Sequence, residues 1–260
     1  MPKIRLDVLL VERGLAESRA KAHALVMAGQ VRVADQVVLK PATAVDTKAV
    51  LTVDTGPRFV SRGGEKLDAA LETFAIDVKG FVCADVGSST GGFTDCMLQR
   101  GAVKVYAIDV GKGILHWKLR NDRRVVVMEE TNARYVESLP ERIDFVTVDA
   151  SFISLKVLLP TTKKWINNET TLLCLIKPQF EAGKKDVARG DGVIRDPEIH
   201  KSVLLDVLNF VQQEGFAIRG LIKSPLLGPK GNAEFLVWLK QASAGERGEE
   251  INPLVESVLL

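Results

Sequence analysis

Five short apolar runs between residues 81 and 180 constrain the fold more than any other feature of the chain. They are FVCADVG (81–87), KVYAIDVG (104–111), VVVMEET (125–131), DFVTVDASF (144–152) and TLLCLIKPQF (171–180). Their apolar residues are consecutive rather than alternating, which marks strands buried on both faces, and amphipathic helical segments separate several of them. Buried strands alternating with helices imply an α/β fold with a doubly wound, mainly parallel sheet. Two further runs, FAIRGLIKSPL (216–226) and AEFLVWLK (233–240), are joined by a Pro- and Gly-rich turn. They suit an antiparallel hairpin closing the sheet edge.

Residues 1–56 read as a separate, small α+β unit. Ile4, Leu6, Leu9, Leu10 and Leu15 have helical spacing that Gly14 punctuates, and Ser18 is a candidate N-cap for a second helix ending at Gly29. VRVADQVV then suggests two short strands about Ala34–Asp35–Gln36, and AVLTVD (49–54) a further one. Gly56–Pro57 begins a linker, read as 57–62. The sheet domain is expected over 63–242 and a peripheral tail over 243–260.

The segment DVGSSTGGFTD (85–95) follows the first run and opens a helix. Gly87 permits a tight turn there, and Gly91 and Gly92 let backbone and helix approach a ligand closely. Doubly wound folds bind nucleotides at this position. The match to the dinucleotide fingerprint is imperfect, because Ser89 stands at its second glycine, and Thr90–Gly91–Gly92 lacks the lysine of a P-loop. The second run ends in Asp109, whose carboxylate can accept both ribose hydroxyls of an adenosine, and Glu130, Thr131 and Asn132 stand at the end of the third run near where an adenine would lie. A nucleoside cofactor without a pyrophosphate fits, and S-adenosyl-L-methionine is the commonest. The binding candidates are Asp85, Gly87, Ser88, Ser89, Thr90, Gly91, Gly92, Phe93, Asp109, Thr131, Asn132 and Asp149. The alternative is a tight strand–helix turn that holds no ligand.

Composition removes other classes. The 35 basic and 33 acidic residues leave a net charge of +2, which neither requires nor excludes an RNA partner. Three cysteines without a CxxC pair and three scattered histidines give no metal-site pattern. The opening MPKIRLDVLLVERG is broken by Asp7, Glu12 and Arg13, and no stretch approaches the roughly 18 apolar residues of a membrane span. A cytoplasmic protein with no membrane partner is expected.

Four charged residues adjoin the apolar runs. Asp149 follows FVTV, Lys177 follows LLCLI, Glu234 begins the last run, and Lys66 lies in SRGGEKL (61–67) before the first. Singly, each has a bland reading as a solvated strand end, a turn cap or a surface residue. Together they suggest a site, because charges abutting buried strands are costly unless paired and parallel sheets carry their sites at strand ends.

With these residues in view, the chain from about Arg58 to Lys240 resembles the FtsJ/RrmJ-type ribose methyltransferases, whose Lys–Asp–Lys–Glu tetrad matches Lys66, Asp149, Lys177 and Glu234. LDVLLVERGLAESRAKAHALVMAGQVRV resembles the S4-type RNA-binding domain. The joint arrangement is similar to the TlyA, or hemolysin A, family, for which SRGGEKL, DVGSSTGGFTD, VDASFISL and LIKPQFE are specific. The cofactor loop SSTGG lacks the proline that many FtsJ-type relatives carry before the Gly pair, and in this it matches the TlyA branch. The resemblance implies methyl transfer from S-adenosyl-L-methionine to a ribose 2′-hydroxyl of ribosomal RNA, with the RNA or the ribosomal subunits as partner. Lys177 would stabilise the developing alkoxide or take up its proton, Asp149 would orient Lys177, and Lys66 and Glu234 would position the hydroxyl and the second lysine.

The first 60 residues hold nine basic against six acidic side chains, and Arg5, Arg19, Lys21 and Arg32 are the candidate RNA contacts. A solvated helix face is the alternative. EAGKKDVARGDGVIRDPE (181–198) reads either as a lid over substrate or as a surface loop. Three other functions stand beside the methyltransferase. A silent RNA-binding assembly factor would need no tetrad, a membrane-lysing protein would need an amphipathic or spanning segment, and an NAD-linked dehydrogenase would prefer a different cofactor.

Overall fold

The computed structural model describes residues 2–54, 56–183, 190–243 and 248–259. The chain divides into two units, Met1–Arg58 and Phe59–Leu260.

The first unit contains β1 (Lys3–Arg5), α1 (Leu6–Glu12), α2 (Arg19–Met27), β2 (Val31–Val33), β3 (Gln36–Val37), β4 (Ala44–Asp46) and β5 (Leu51–Val53). The Ser18 hydroxyl caps α2 by accepting from the Lys21 amide at 3.2 Å. Ala34 and Asp35 both have positive φ, 48° and 65°, as a two-residue primed hairpin turn between β2 and β3 requires. The first helix is shorter than its apolar spacing suggests. Ile4 lies in β1, opposite Val45 of β4, and the helix starts at Leu6. Leu6, Leu10, Ala22, Val26 and Val31 are completely buried and form the small core.

The second unit holds α3 (Gly63–Thr73), β6 (Val82–Val86), α4 (Gly92–Gln99), β7 (Lys104–Ile108), α5 (Trp117–Arg120), β8 (Val125–Met128), a 3-10 turn (Ala133–Tyr135), β9 (Phe145–Val148), α6 (Leu155–Thr162), β10 (Thr171–Ile176), α7 (Pro178–Glu181), α8 (Pro197–Gln213), β11 (Phe216–Lys223), β12 (Phe235–Gln241) and α9 (Ile251–Leu259). Seven strands form one sheet in the order β11-β12-β10-β9-β6-β7-β8. β12 runs antiparallel to both its neighbours, while β10, β9, β6, β7 and β8 are parallel. The consecutive apolar residues of β10 serve both faces. Leu172, Cys174 and Ile176 join the core under α6, α8 and α9, and Leu173 and Leu175 join the core under α3 and α4.

The antiparallel hairpin closes one edge of the sheet as expected. Within it β12 is inserted between β10 and β11, with Phe235 opposite Ile176, so Glu234 enters beside the end of β10 that carries Lys177. Two segments depart from the sequence reading. Residues 59–62, read as linker, pack on the second unit, because Phe59 is buried and the Val60 amide donates to Asp95 at 2.9 Å. The region read as a peripheral tail contains α9, which packs on α8 and β11 with Val255 completely buried. Its apolar stripe was masked by the polar stretch before it.

Candidate active site

Parallel pairing aligns the carboxyl ends of β6, β7 and β9, with Val86 opposite both Ile108 and Val148. The residues that follow these strands, Gly87, Asp109 and Asp149, therefore leave the sheet along one edge, and Lys177 leaves β10 beside them. Gly87 has φ of +82°, and a Cβ there would stand 2.5 Å from the Asp149 carbonyl oxygen. Only glycine satisfies both conditions, so the loop from β6 can lie against the loop from β9. Gly92 acts similarly at the start of α4, where a Cβ would lie 2.9 Å from the Gly64 amide. That close approach of α4 and α3 brings Lys66, in the first turns of α3, towards the sheet edge.

The four tetrad candidates form two ion pairs. Lys177 Nζ lies 2.5 Å from Asp149 Oδ1 and donates to Ser151 Oγ at 3.1 Å. Lys66 Nζ lies 2.5 Å from Glu234 Oε2, with side chains 9% and 1% exposed. Both pairs line one cleft of about 270 Å³, together with Ser61 and Pro229. Pairing is what makes these charges tolerable at such burial. Ser61 and Ser151 lie within SRGGEKL and VDASFISL but are not singled out there, and the fold brings both to the cleft of the lysines.

A second cleft of about 450 Å³ adjoins the first and shares Gly87, Ser89, Asp149 and Ser151 with it. Asp109, Thr131 and Asn132 supply its polar wall, and Ile108, Phe152 and Leu158 its apolar one. Asp109 already accepts from the amides of Ser89 and Gly111, each at 2.8 Å, which fixes the carboxylate at the rim. Ser88, Thr90 and Phe93 line the smaller cleft at the start of α4. Gly91 adopts φ of +95° as the residue preceding that helix. The combination suits an adenosine with an aliphatic, charged extension. The surfaces on offer are an apolar wall, a carboxylate at the rim and the first turn of a helix.

Asp85 is completely buried and accepts from Thr94 Oγ1 at 2.6 Å and Thr147 Oγ1 at 2.8 Å. Burial pushes its carboxyl up to about 6, against the pull of those two hydroxyls. Asp85 thus ties β6 to α4 and β9 at the wall of the smaller cleft. Glu129 was not singled out in the sequence. Its carboxylate accepts from the amides of Gly113, Ile114 and Leu115 and from Arg120, and these bonds hold its pKa down at about 2. Glu129 thereby sets the loop that carries Ile114 into the larger cleft.

In the first unit, buried Asp7 gathers two of the candidate RNA contacts. Arg5 donates to it twice, at 3.0 and 2.9 Å, and Arg19 at 3.1 Å, which holds the carboxyl well below the usual carboxylate range. Both guanidiniums stay about half exposed or more. Lys21 is exposed in the first turn of α2, and Arg32 on β2 donates to the Asp35 carbonyl at 3.2 Å.

Of the segment read as a lid, residues 184–189 lie outside the described residues. Beyond them Ile194 is buried, its amide donating to Asn232 Oδ1 at 2.9 Å. Among the described residues no helix is long and apolar enough to cross a membrane, and no three His, Cys, Asp or Glu residues cluster as metal ligands.

Comparison with known proteins agrees with this geometry. Residues 59–241 match the FtsJ-like methyltransferase family, and residues 4–51 match the S4 domain. The 16S/23S rRNA (cytidine-2′-O)-methyltransferase TlyA of Mycobacterium tuberculosis is 48% identical over 242 residues, covering 92% of this chain and 90% of the relative. A Bacillus subtilis protein named "Putative rRNA methyltransferase YqxC" is 48% identical over 256 residues, covering 96% and 90%. Among solved structures, a "Putative hemolysin from Streptococcus thermophilus" superposes with a TM-score of 0.74 at 41% identity, covering 100% of this chain and 95% of that one. A glycine-cradled cleft flanked by two buried Lys–carboxylate pairs, on a sheet with these relatives, makes the chain a member of the FtsJ-like methyltransferase family with an amino-terminal S4 domain.

Proposed function

We propose that the protein transfers a methyl group from S-adenosyl-L-methionine to a ribose 2′-hydroxyl of ribosomal RNA, with cytidine as the modified nucleoside. The observation that carries this reading is the meeting of Lys177–Asp149 and Lys66–Glu234 in one cleft beside the glycine loop. Residues Asp109, Thr131 and Asn132 hold the adenosine, and Gly87 to Phe93 receive the remainder of the cofactor. The cofactor supplies an electrophilic methyl on a sulfonium.

The protein's own side chains prepare the acceptor. A ribose hydroxyl is a poor nucleophile at neutral pH, so charge developing on its oxygen must be stabilised. Lys177 Nζ does this by hydrogen bonding to the 2′-oxygen, whose proton would pass to water as the new O–C bond forms and the sulfonium S–C bond breaks, and Asp149 and Ser151 fix the direction of that amine. Lys66, held by Glu234, steadies the ribose from the opposite side of the cleft. Holding the oxygen in line with the methyl group supplies much of the acceleration. Arg5 and Arg19, with Lys21 and Arg32, contact RNA phosphates and direct the enzyme to folded RNA rather than to a base sequence.

Incubation with methyl-labelled S-adenosylmethionine and unmodified ribosomal subunits tests the reading. Label recovered as 2′-O-methylcytidine from subunit RNA is the expected outcome. Label on a base nitrogen or carbon would overturn the assignment.

A further inference from the structure

Glu181 stands outside the tetrad, yet it joins the two loops between which Lys177 and Asp149 meet. α7 follows Lys177 directly and ends at Glu181. The loop from Asp149 ends at Ser154, the N-cap of α6. The Glu181 carboxylate accepts from Ser154 Oγ at 2.5 Å and from the Leu155 amide at 2.8 Å. The Ser154 oxygen in turn accepts from the Lys156 amide at 3.1 Å, so one carboxylate and one hydroxyl close the start of α6. A second link lies nearer the cleft, where the rings of Phe152 and Phe180 meet at a tilt of 46° with centroids 5.0 Å apart. Burial pushes the Glu181 carboxyl above its ordinary value. A half-buried carboxylate held by two hydrogen bonds costs desolvation, and its bonds run between loops rather than within one.

We propose that Glu181 is a positioning residue, a clasp between the loop carrying Asp149 and Ser151 and the loop carrying Lys177, which sets the direction of the Lys177 amine. The inference rests on the methyl-transfer reading for its kinetic consequence only. The clasp itself is a statement about where Lys177 sits. Without it, α7 and the start of α6 separate, the Lys177–Asp149 contact lengthens, and the amine no longer points at one place. Misplacement on the order of an ångström costs about 100-fold in a positioned reaction.

The test compares Glu181→Ala, Glu181→Gln and Ser154→Ala with the full-length wild type. Glu181→Ala is expected to lower kcat about 10- to 100-fold on ribosomal subunits, with KM for S-adenosylmethionine and its binding by calorimetry changed less than about threefold. Glu181→Gln, which keeps one acceptor, should recover most of the lost rate, and Ser154→Ala should fall between. In a Lys177→Ala background Glu181→Ala should have no further effect on the residual rate, because its effect passes through that lysine. A crystal structure or lysine NMR of Glu181→Ala provides a readout free of activity, and the Lys177–Asp149 contact should be lengthened or averaged. If wild type transfers no methyl group and the contact is still loosened, the clasp stands and the reaction reading fails. If the contact is unmoved, or if Glu181→Gln loses as much rate as Glu181→Ala, the clasp is refuted. Should Glu181→Ala not fold, the Gln and Ser154→Ala variants carry the same comparison.

Discussion

Replacing Gly87 by alanine tests the packing argument at the heart of the site. Two costs apply. Alanine at φ of +82° pays the left-handed penalty, about 1–2 kcal/mol. Its Cβ also meets Asp149 backbone at 2.5 and 2.9 Å and Ala150 Cα at 3.0 Å. These neighbours are backbone, not flexible side-chain ends, so relief requires the β9 loop to move, at a further cost of about 1–3 kcal/mol. The total of about 2–5 kcal/mol corresponds to a melting temperature lowered by roughly 5–15 °C in a domain of this size. Gly80 is the matched control, since its φ is +80° but nothing lies within 4 Å of a Cβ there. Gly80→Ala should lose only the conformational part, about 1–2 kcal/mol. Because the displaced backbone belongs to Asp149, Gly87→Ala should also weaken S-adenosylmethionine binding at least about tenfold by calorimetry, the equivalent of about 1.4 kcal/mol, while Gly80→Ala leaves it unchanged. Equal melting shifts in the two variants, with cofactor binding intact in both, would refute the reasoning.

Further outcomes follow from the same geometry. Glu234→Ala strands the buried Lys66 ammonium and should cost about 3–5 kcal/mol by urea denaturation, whereas the double variant Lys66→Met/Glu234→Leu should regain most of that stability and none of the activity. Asp85, with a carboxyl pushed up to about 6, holds its proton more tightly folded than unfolded. Its contribution is therefore present below about pH 4 and lost as pH rises through 6, a loss of roughly 3 kcal/mol that Asp85→Asn should remove from the difference between the two stability–pH curves. Arg5→Gln and Arg19→Gln should each weaken subunit binding and reduce the slope of log K against log salt by about one, with the methylated position unchanged.

Much of the site could be read from the chain because its signals are local. Consecutive apolar residues marked β6, β7, β9 and β10, and the ends of those strands are where Gly87, Asp109, Asp149 and Lys177 stand. What the sequence could not supply is pairing across distance. Nothing near residue 66 indicates that Glu234, across the sheet, neutralises it, since that depends on β12 entering between β10 and β11. Glu129 and Glu181 look like ordinary surface acids until the groups that donate to them are seen, backbone amides and Arg120 for the first and a hydroxyl and an amide of another loop for the second. Helix α9 escapes because nine mostly small or polar residues separate its apolar stripe from the sheet, and β1 because three residues paired with β4 carry no period of their own. Residues 59–62 looked like a linker for the same reason, since the burial of Phe59 arises from α3 and not from its neighbours in sequence.

The most direct test of the central claim is single-turnover methyl transfer to unmodified ribosomal subunits by wild type and Lys177→Ala, with S-adenosylmethionine binding measured on the same preparations. The expected result is cofactor affinity within about threefold in both proteins and transfer to the ribose hydroxyl lost, by about 100-fold or more, only in the variant. Transfer at the wild-type rate by Lys177→Ala would contradict it.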